Sequence, residues 1–358
     1  MKSYKKSLYV TATLAVSSIA LGSTPAQANL VKLVYGIPAS VTLSQAPIVA
    51  AKQLGYFKEE GLEVQIMGFK GSGTLIPQML AKRVDIGYPN PDIIILSHAP
   101  GKEKLPLKFF YNVTRRSSWE FAVLADSPFK TVADLAGKKV GVGGSNWGNI
   151  PITKAEFKDL KIDATLVPVG VGAGAFLMLN EKRIDALNLF DAQHATLEAL
   201  GTKIRRLERL PRYDALFTNG FVAHEDFIRD KPQAIIGFGR AVAKASVFCE
   251  ANREACVKMF WKEYPDDKPS GDEAKVLADG VRIFSARFDK MLFFPEGQPR
   301  KWGAYDPQVW RDFVVALYEG GQLTTKDIDV DACYTNAFVG DFAKFDPEKI
   351  KAQAKSFK

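Results

Sequence analysis

From residue 30 onward the chain alternates short β-type runs with single helices, and that alternation restricts the possible folds more than any other feature. Leu30 to Tyr35 is a β run, Gly36 to Thr42 a polar loop containing a proline, and Ala46 to Leu54 an apolar helix stopped at Gly55. A second strand begins by Val64. Gly71-Ser72-Gly73-Thr74 opens a helix running to about Lys82, Val84 to Tyr88 is a third strand, and Pro89-Asn90-Pro91-Asp92 starts another helix. The pattern returns after residue 119, with strands at Trp119 to Leu124, Lys139 to Val142 and Ala164 to Pro168, and helices at Asn149 to Leu160 and Gly172 to Asn180. Strands joined by single helices imply mainly parallel sheets, in which ligands collect beyond the carboxyl ends of the strands.

An echo at an offset of about 100 residues points to two lobes of like construction. Met79-Leu80-Ala81-Lys82-Arg83-Val84-Asp85-Ile86 resembles Met178 to Ala186, which carries Lys182-Arg183-Ile184-Asp185. Both copies read as helix, basic turn, aspartate and buried strand, followed by Asn90-Pro91-Asp92 in one and Phe190-Asp191 in the other. After Phe217 to Ala223 the chain turns helical: Ile235, Phe238, Val242, Ala245 and Cys249 follow helical spacing, and Asp306-Pro307 caps a helix carrying Trp310, Phe313, Val314 and Leu317. Lacking strands, this segment is expected to pack back on the first lobe. Two crossings, near 115–119 and 216–222, would then form a hinge.

The first 28 residues stand apart. Lys2, Lys5 and Lys6 precede an apolar run from Leu8 to Leu21, and Ala26-Gln27-Ala28 supplies a cleavage site. This reads as a secretory signal peptide, too short to span a bilayer, so the expected location is the periplasm. Its removal lowers the formal charge from +8 to +5, because three of the 48 basic residues go and the 40 acidic ones stay. No basic cluster implies nucleic acid. Cys249 and Cys256 bracket a helix-to-helix turn where a disulfide and buried thiols are both open readings. No metal-site spacing is present, and His98, His194 and His224 are isolated.

The stretch Lys139 to Ile150 offers the sharpest site. A β run ends in Gly143-Gly144, Ser145 and Asn146 stand where a helix would need its cap, and Trp147 adds a flat aromatic surface. Free N–H groups at such a start favour an anion or a carbonyl oxygen, whereas an ordinary glycine-rich turn with Trp147 in the core is the alternative.

The run Ala46-Pro47-Ile48-Val49-Ala50-Ala51-Lys52-Gln53-Leu54-Gly55-Tyr56-Phe57-Lys58-Glu59-Glu60-Gly61-Leu62-Glu63-Val64 resembles the opening of periplasmic solute-binding proteins of ABC importers. The similar branch is that for sulfonates, nitrate, taurine and the thiamine pyrimidine precursor. Gly71 to Thr74, Arg83 to Gly87 and Ser127 to Val142 extend the resemblance. It implies an α/β fold of two lobes, a type II Venus flytrap, with 29–117 and 219–358 as one lobe and 118–218 as the other. It also implies a monomer that takes a small-molecule ligand, uses no cofactor, and delivers to a permease and ATPase at the inner membrane. The loops matching the family's binding loops carry Ser40, Thr42, Gln45, Ser72, Thr74, Asn90, Ser145, Asn146, Trp147, Phe190 and Asp191; Trp119 sits at the inferred crossing. Asp191 reads better as a helix cap than as a ligand group, and Arg115 and Arg116 as a solvated pair.

Trp147 and Phe190 favour a small aromatic or heterocyclic compound, carboxylates included, over taurine or nitrate, with the rings able to sandwich a flat body. Two other readings use the same scaffold. One is a sensor that presents its occupied form to a membrane receptor. The other is an enzyme, since the pyrimidine-precursor branch includes a pyrimidine-synthesising protein; its cysteine- and histidine-rich iron motif has no match here, so no enzymatic activity is expected.

Overall fold

The computed structural model describes residues 30–145 and 147–357; the expected signal peptide and Asn146 lie outside the described residues. Ten strands follow in chain order: β1 (Val31–Ile37), β2 (Leu62–Gly68), β3 (Ile86–Gly87), β4 (Leu107–Asn112), β5 (Trp119–Leu124), β6 (Lys139–Val142), β7 (Thr165–Pro168), β8 (Ala186–Phe190), β9 (Ile204–Arg206) and β10 (Gly220–His224). They form two five-stranded sheets, ordered β2-β1-β3-β10-β4 and β7-β6-β8-β5-β9.

Each sheet is mixed. β1 runs parallel to β2 and β3, while β10 is antiparallel to both β3 and β4. In the second sheet β6 is parallel to β7 and β8, and β5 is antiparallel to β8 and β9. The reversed strand is in each case the first one after the chain has crossed over: β5 follows 113–118 and β10 follows 207–219. A strand arriving from the other lobe has no crossover helix to turn it round, so it enters against the parallel run. The crossings are tied together, Thr114 N to Asn219 O and Thr218 N to Thr114 O at 3.0 Å each, and Ser118 N to Thr218 Oγ1 at 2.7 Å.

Helices cover both faces of each sheet, as βαβ crossovers require. On the first, Tyr35, Phe221 and Phe238 belong to one core and Phe109, Trp310 and Phe313 to the other. On the second, Phe121, Val140 and Phe157 fill one side and Phe176, Leu187 and Leu189 the other. The C-terminal helices pack on the first lobe. Asp306 caps the Pro307–Glu319 helix through Gln308 N at 2.8 Å, and Trp310 stacks on Tyr334 with centroids 5.1 Å apart. Cys249 and Cys256 are joined by a disulfide between consecutive helices, with Cα atoms 5.5 Å apart. Closing so short a loop is worth about 2–3 kcal/mol in the chain-entropy account.

The internal echo is a structural repeat. Lys82 and Lys182 both adopt the left-handed conformation, with φ of 55° and 56°. Asp85 Oδ2 accepts from Val34 N and Asp185 Oδ2 from Lys139 N, each at 2.8 Å. In both lobes, therefore, the aspartate pins the start of its own strand to the neighbouring one.

Candidate functional site

The carboxyl ends of the two parallel runs face one another across a cavity of about 130 Å³. The first lobe contributes Ser40, Thr42, Ser44 and Gln45 from the β1 loop, Ser72 from a helix start, and Tyr88, Asn90 and Asp92 from the loop after β3. The second contributes Trp119, Trp147 and Phe190, while Ser118 and Asn219 come from the crossings.

The aromatic side is one cluster. Trp119 lies 6.0 Å from both Trp147 and Phe190, and the Trp147 and Phe190 rings stack within 18° at 6.4 Å. Because the three rings touch one another and all come from the second lobe, they make a wall; the sandwich around a flat ligand expected from sequence is not what the structure builds. Gly143 is needed for this wall, since a Cβ there would lie 2.4 Å from the Trp147 ring. Gly148 has a different task. A Cβ on it would come within 2.8 Å of Asn90, which belongs to the opposite lobe, so the backbone of one lobe rests directly on a side chain of the other.

Other expected residues fall elsewhere. The helix after the glycine turn starts at Asn149, with Gly148 at the cap position and no side-chain cap, so Ser145 does not cap it and points to solvent. Thr74 is also exposed, its hydroxyl bonded to Gly71 O at 3.0 Å. Neither lines the cavity; each lies on the outward side of its turn. Arg115 lies over the Phe294 ring at 4.2 Å and Arg116 over Phe293 at 4.0 Å, with Arg116 also paired to Asp214 at 3.0 Å. They are packed against rings, not a solvated pair.

Asp191 corrects a second expectation. It occupies the first position of its helix, not the cap, which is Phe190. Its carboxylate is 1% exposed and is met by Arg287 Nε at 3.0 Å to each oxygen. Arg287, itself 6% exposed, comes from the Glu273–Met291 helix of the first lobe. Lys290, one turn on, reaches Asp191 at 3.4 Å and Glu120 at 2.7 Å. Burial would raise the Glu120 carboxyl, but the hydrogen bond from His194 and the charge of Lys290 override it and hold it well below the usual carboxylate range. These pairs form an ionic seam between the lobes.

The Tyr88 hydroxyl, near Arg287, shares a 2.7 Å bond with Thr114. Burial raises the Tyr88 pKa, so the phenol stays neutral and able to donate. Asn219 donates to Tyr88 O at 3.1 Å and to Asn90 Oδ1 at 3.3 Å, which orients the Asn90 amide. Tyr88, Asp92, Ser118, Asn219 and Arg287 are among the cavity residues that sequence reasoning missed. Asp92 had a visible signal, a Pro-Asn-Pro-Asp loop ending a strand; Arg287 had none, being an arginine on an amphipathic helix.

Among the described residues no cluster of His, Cys, Asp and Glu has the geometry to hold a metal ion, and no helix is long and apolar enough to cross a membrane. Cys333 is buried and its thiol pushed up to about 12 by burial, away from the cavity.

The NMT1/THI5-like family description matches residues 43–255. A protein of Brucella abortus (strain 2308), described as a binding protein, is 25% identical over 221 residues, spanning 61% of this chain and 67% of the relative. A 4-amino-5-hydroxymethyl-2-methylpyrimidine phosphate synthase of Saccharomyces cerevisiae is 26% identical over 319 residues, spanning 82% of this chain and 83% of the enzyme. In fold, the alkanesulfonate-binding protein of Xanthomonas axonopodis pv. citri superposes with a TM-score of 0.62 at 16% identity, over 85% of this chain and 98% of that one. The chain therefore belongs to the NMT1/THI5-like family and carries the two-lobed fold of the periplasmic binding proteins.

Proposed function

We propose that this protein is the solute-binding component of an ABC importer, which captures a small aromatic or heterocyclic molecule between its lobes and delivers it to a membrane permease. The observation that carries this reading is a cavity whose two halves lie on different lobes, an aromatic wall on one and hydroxyl and amide groups on the other. Such a site is complete only when the lobes meet, so ligand binding and closure are one event. The moving bodies are taken as 29–117 with 219–358, and 118–218. The leader over 1–28 places the protein in the periplasm, and it acts there as a monomer.

The wall favours planar apolar ligands because Trp and Phe faces offer large rigid contact area. An alkanesulfonate would leave that surface poorly used. The yeast relative makes an enzymatic reading the natural rival. Against it, no histidine or cysteine stands among the described residues lining the cavity.

The test is a thermal-shift screen of the exported protein against aromatic acids, pyrimidines, alkanesulfonates and inorganic oxyanions. A ligand at about 100 times its dissociation constant adds roughly 2.7 kcal/mol and moves the midpoint by several degrees. The expected hit is aromatic and is lost in Trp147→Ala. Tight binding of an alkanesulfonate, with no response to any aromatic compound, refutes the reading.

A further inference from the structure

The cavity holds a buried carboxyl group, Asp92, that no basic group among the described residues answers. Asp92 is the first residue of the helix Asp92–Ser97 and is only 8% exposed. Its Oδ1 is buried and, among the described residues, has no hydrogen-bond partner. Burial drives the carboxyl up to about 6, with only its own N–H and that of Ile93 acting in the other direction and no basic side chain contributing. A buried carboxylate without a cation is costly, and native structures rarely leave one so.

The rest of the cavity does not compensate. Of its two basic residues, Arg287 is committed to Asp191 and Lys70 is exposed. No basic side chain of the lining acts on Asp92, so a cationic group of the ligand would supply the partner it lacks. An anionic head beside Asp92 would meet like-charge repulsion in a low-dielectric space. A cation would find a carboxylate, together with Trp119, Trp147 and Phe190, whose ring faces attract positive charge.

We propose that Asp92 receives a positively charged, N–H-donating head group of the ligand, such as an amine, an amidine or a protonated ring nitrogen. This rests on the capture reading above and sharpens it: the head group of the aromatic ligand is a cation, and carboxylates and sulfonates are disfavoured. Asp92 is then the specificity-determining residue, selecting by charge, while the wall selects by shape.

Three probes sharing one ring test it: benzamidine, benzoate and benzenesulfonate, titrated calorimetrically into the full-length exported protein between pH 5 and 8. Benzamidine is expected to bind about tenfold or more tighter than either anion at pH 7.5, as a charge-assisted hydrogen bond warrants. Its affinity should weaken as pH falls through about 6, where Asp92 takes up a proton. In Asp92→Asn the preference should collapse and the pH dependence flatten. The wild-type pH profile needs no variant, so it decides the matter even where Asp92→Asn fails to fold. Tighter binding of benzoate or benzenesulfonate, no benzamidine binding, or an unchanged preference in Asp92→Asn each overturns the proposal. An aromatic acid that binds through Trp147 regardless of Asp92 sinks this inference but keeps solute capture. Benzamidine binding lost in Asp92→Asn yet intact in Trp147→Ala supports the charge site and removes the wall from the reading.

Discussion

Asp92 and Asp191 occupy the same place in the two lobes, the first helical position after the third strand of each parallel run, and both are nearly inaccessible to water. Their surroundings differ in one respect. Asp191 is met by Arg287 and Lys290 from the opposite lobe, whereas Asp92 meets no cation among the described residues. One repeated position has thus become a structural clasp in one lobe and an open valence in the other. The fold supplies two equivalent carboxylates, and what faces them decides which one holds the lobes together and which is left for a ligand.

The comparison can be broken most severely at Arg287. Replacing it by alanine leaves the buried Asp191 carboxylate with Lys290 alone at 3.4 Å, and breaking a buried ion pair costs about 3–5 kcal/mol when the charge stays buried. Here the lobes can open and rehydrate Asp191, so the cost should appear as lost closure. Small-angle scattering should show an expanded protein and ligand affinity should fall by on the order of 100-fold or more, while the melting temperature changes less. An unchanged scattering profile would mean that the seam does not govern closure.

Asp92→Asn should act in the opposite sense. The folded-state pKa of Asp92 is raised to about 6, so between its ordinary value and that point the folded protein holds a proton the unfolded chain lacks. Stability contributed by this group therefore falls as pH rises through that window, and its penalty is full above it. The asparagine variant should be more stable than wild type by roughly 2–3 kcal/mol at pH 8, with the difference gone near pH 4. A destabilised variant at pH 8 would mean that the carboxylate has a partner after all.

At Gly148, alanine should press its methyl into Asn90 across the cleft, weakening closure and binding by about 1–3 kcal/mol while sparing the isolated lobes. The smallest effect tests the repeat itself. Asp85→Ala and Asp185→Ala each remove one hydrogen bond to a strand N–H, and each should cost about 1 kcal/mol in chemical denaturation. Clearly unequal costs would show that the equivalence is geometric only.

Legibility followed the range of the physics involved. Alternating strands and helices, the lysine turn at 82 and 182, and the aspartates at 85 and 185 are local features, fixed by backbone geometry within a few residues, and the sequence displays them. The aromatic residues of the wall were legible because Phe190 ends a strand and Trp147 lies in the glycine loop that follows another, although their arrangement was not. Ser145 and Thr74 misled because a hydroxyl at a turn can face either way, and sequence spacing does not say which. Arg287 was invisible because its role depends on a partner 96 positions away on another lobe. Asp92 stood in plain view as a helix starter, but an absent partner leaves no pattern. The sheets were expected to be mainly parallel, and the one reversed strand in each followed from the crossings, which sequence located only to within several residues.

The Trp119 and Trp147 rings, 6.0 Å apart and tilted by 57°, also give the protein an optical signature. Indoles at that spacing couple their excited states, and a tilt far from parallel or perpendicular gives the coupled transitions opposite circular polarisation. The remaining tryptophans, Trp261, Trp302 and Trp310, are buried in the first lobe and form no part of the cavity lining. A ligand seated on the wall would change the coupling of this pair alone, so the filling of the cavity should be visible in ultraviolet light without any label.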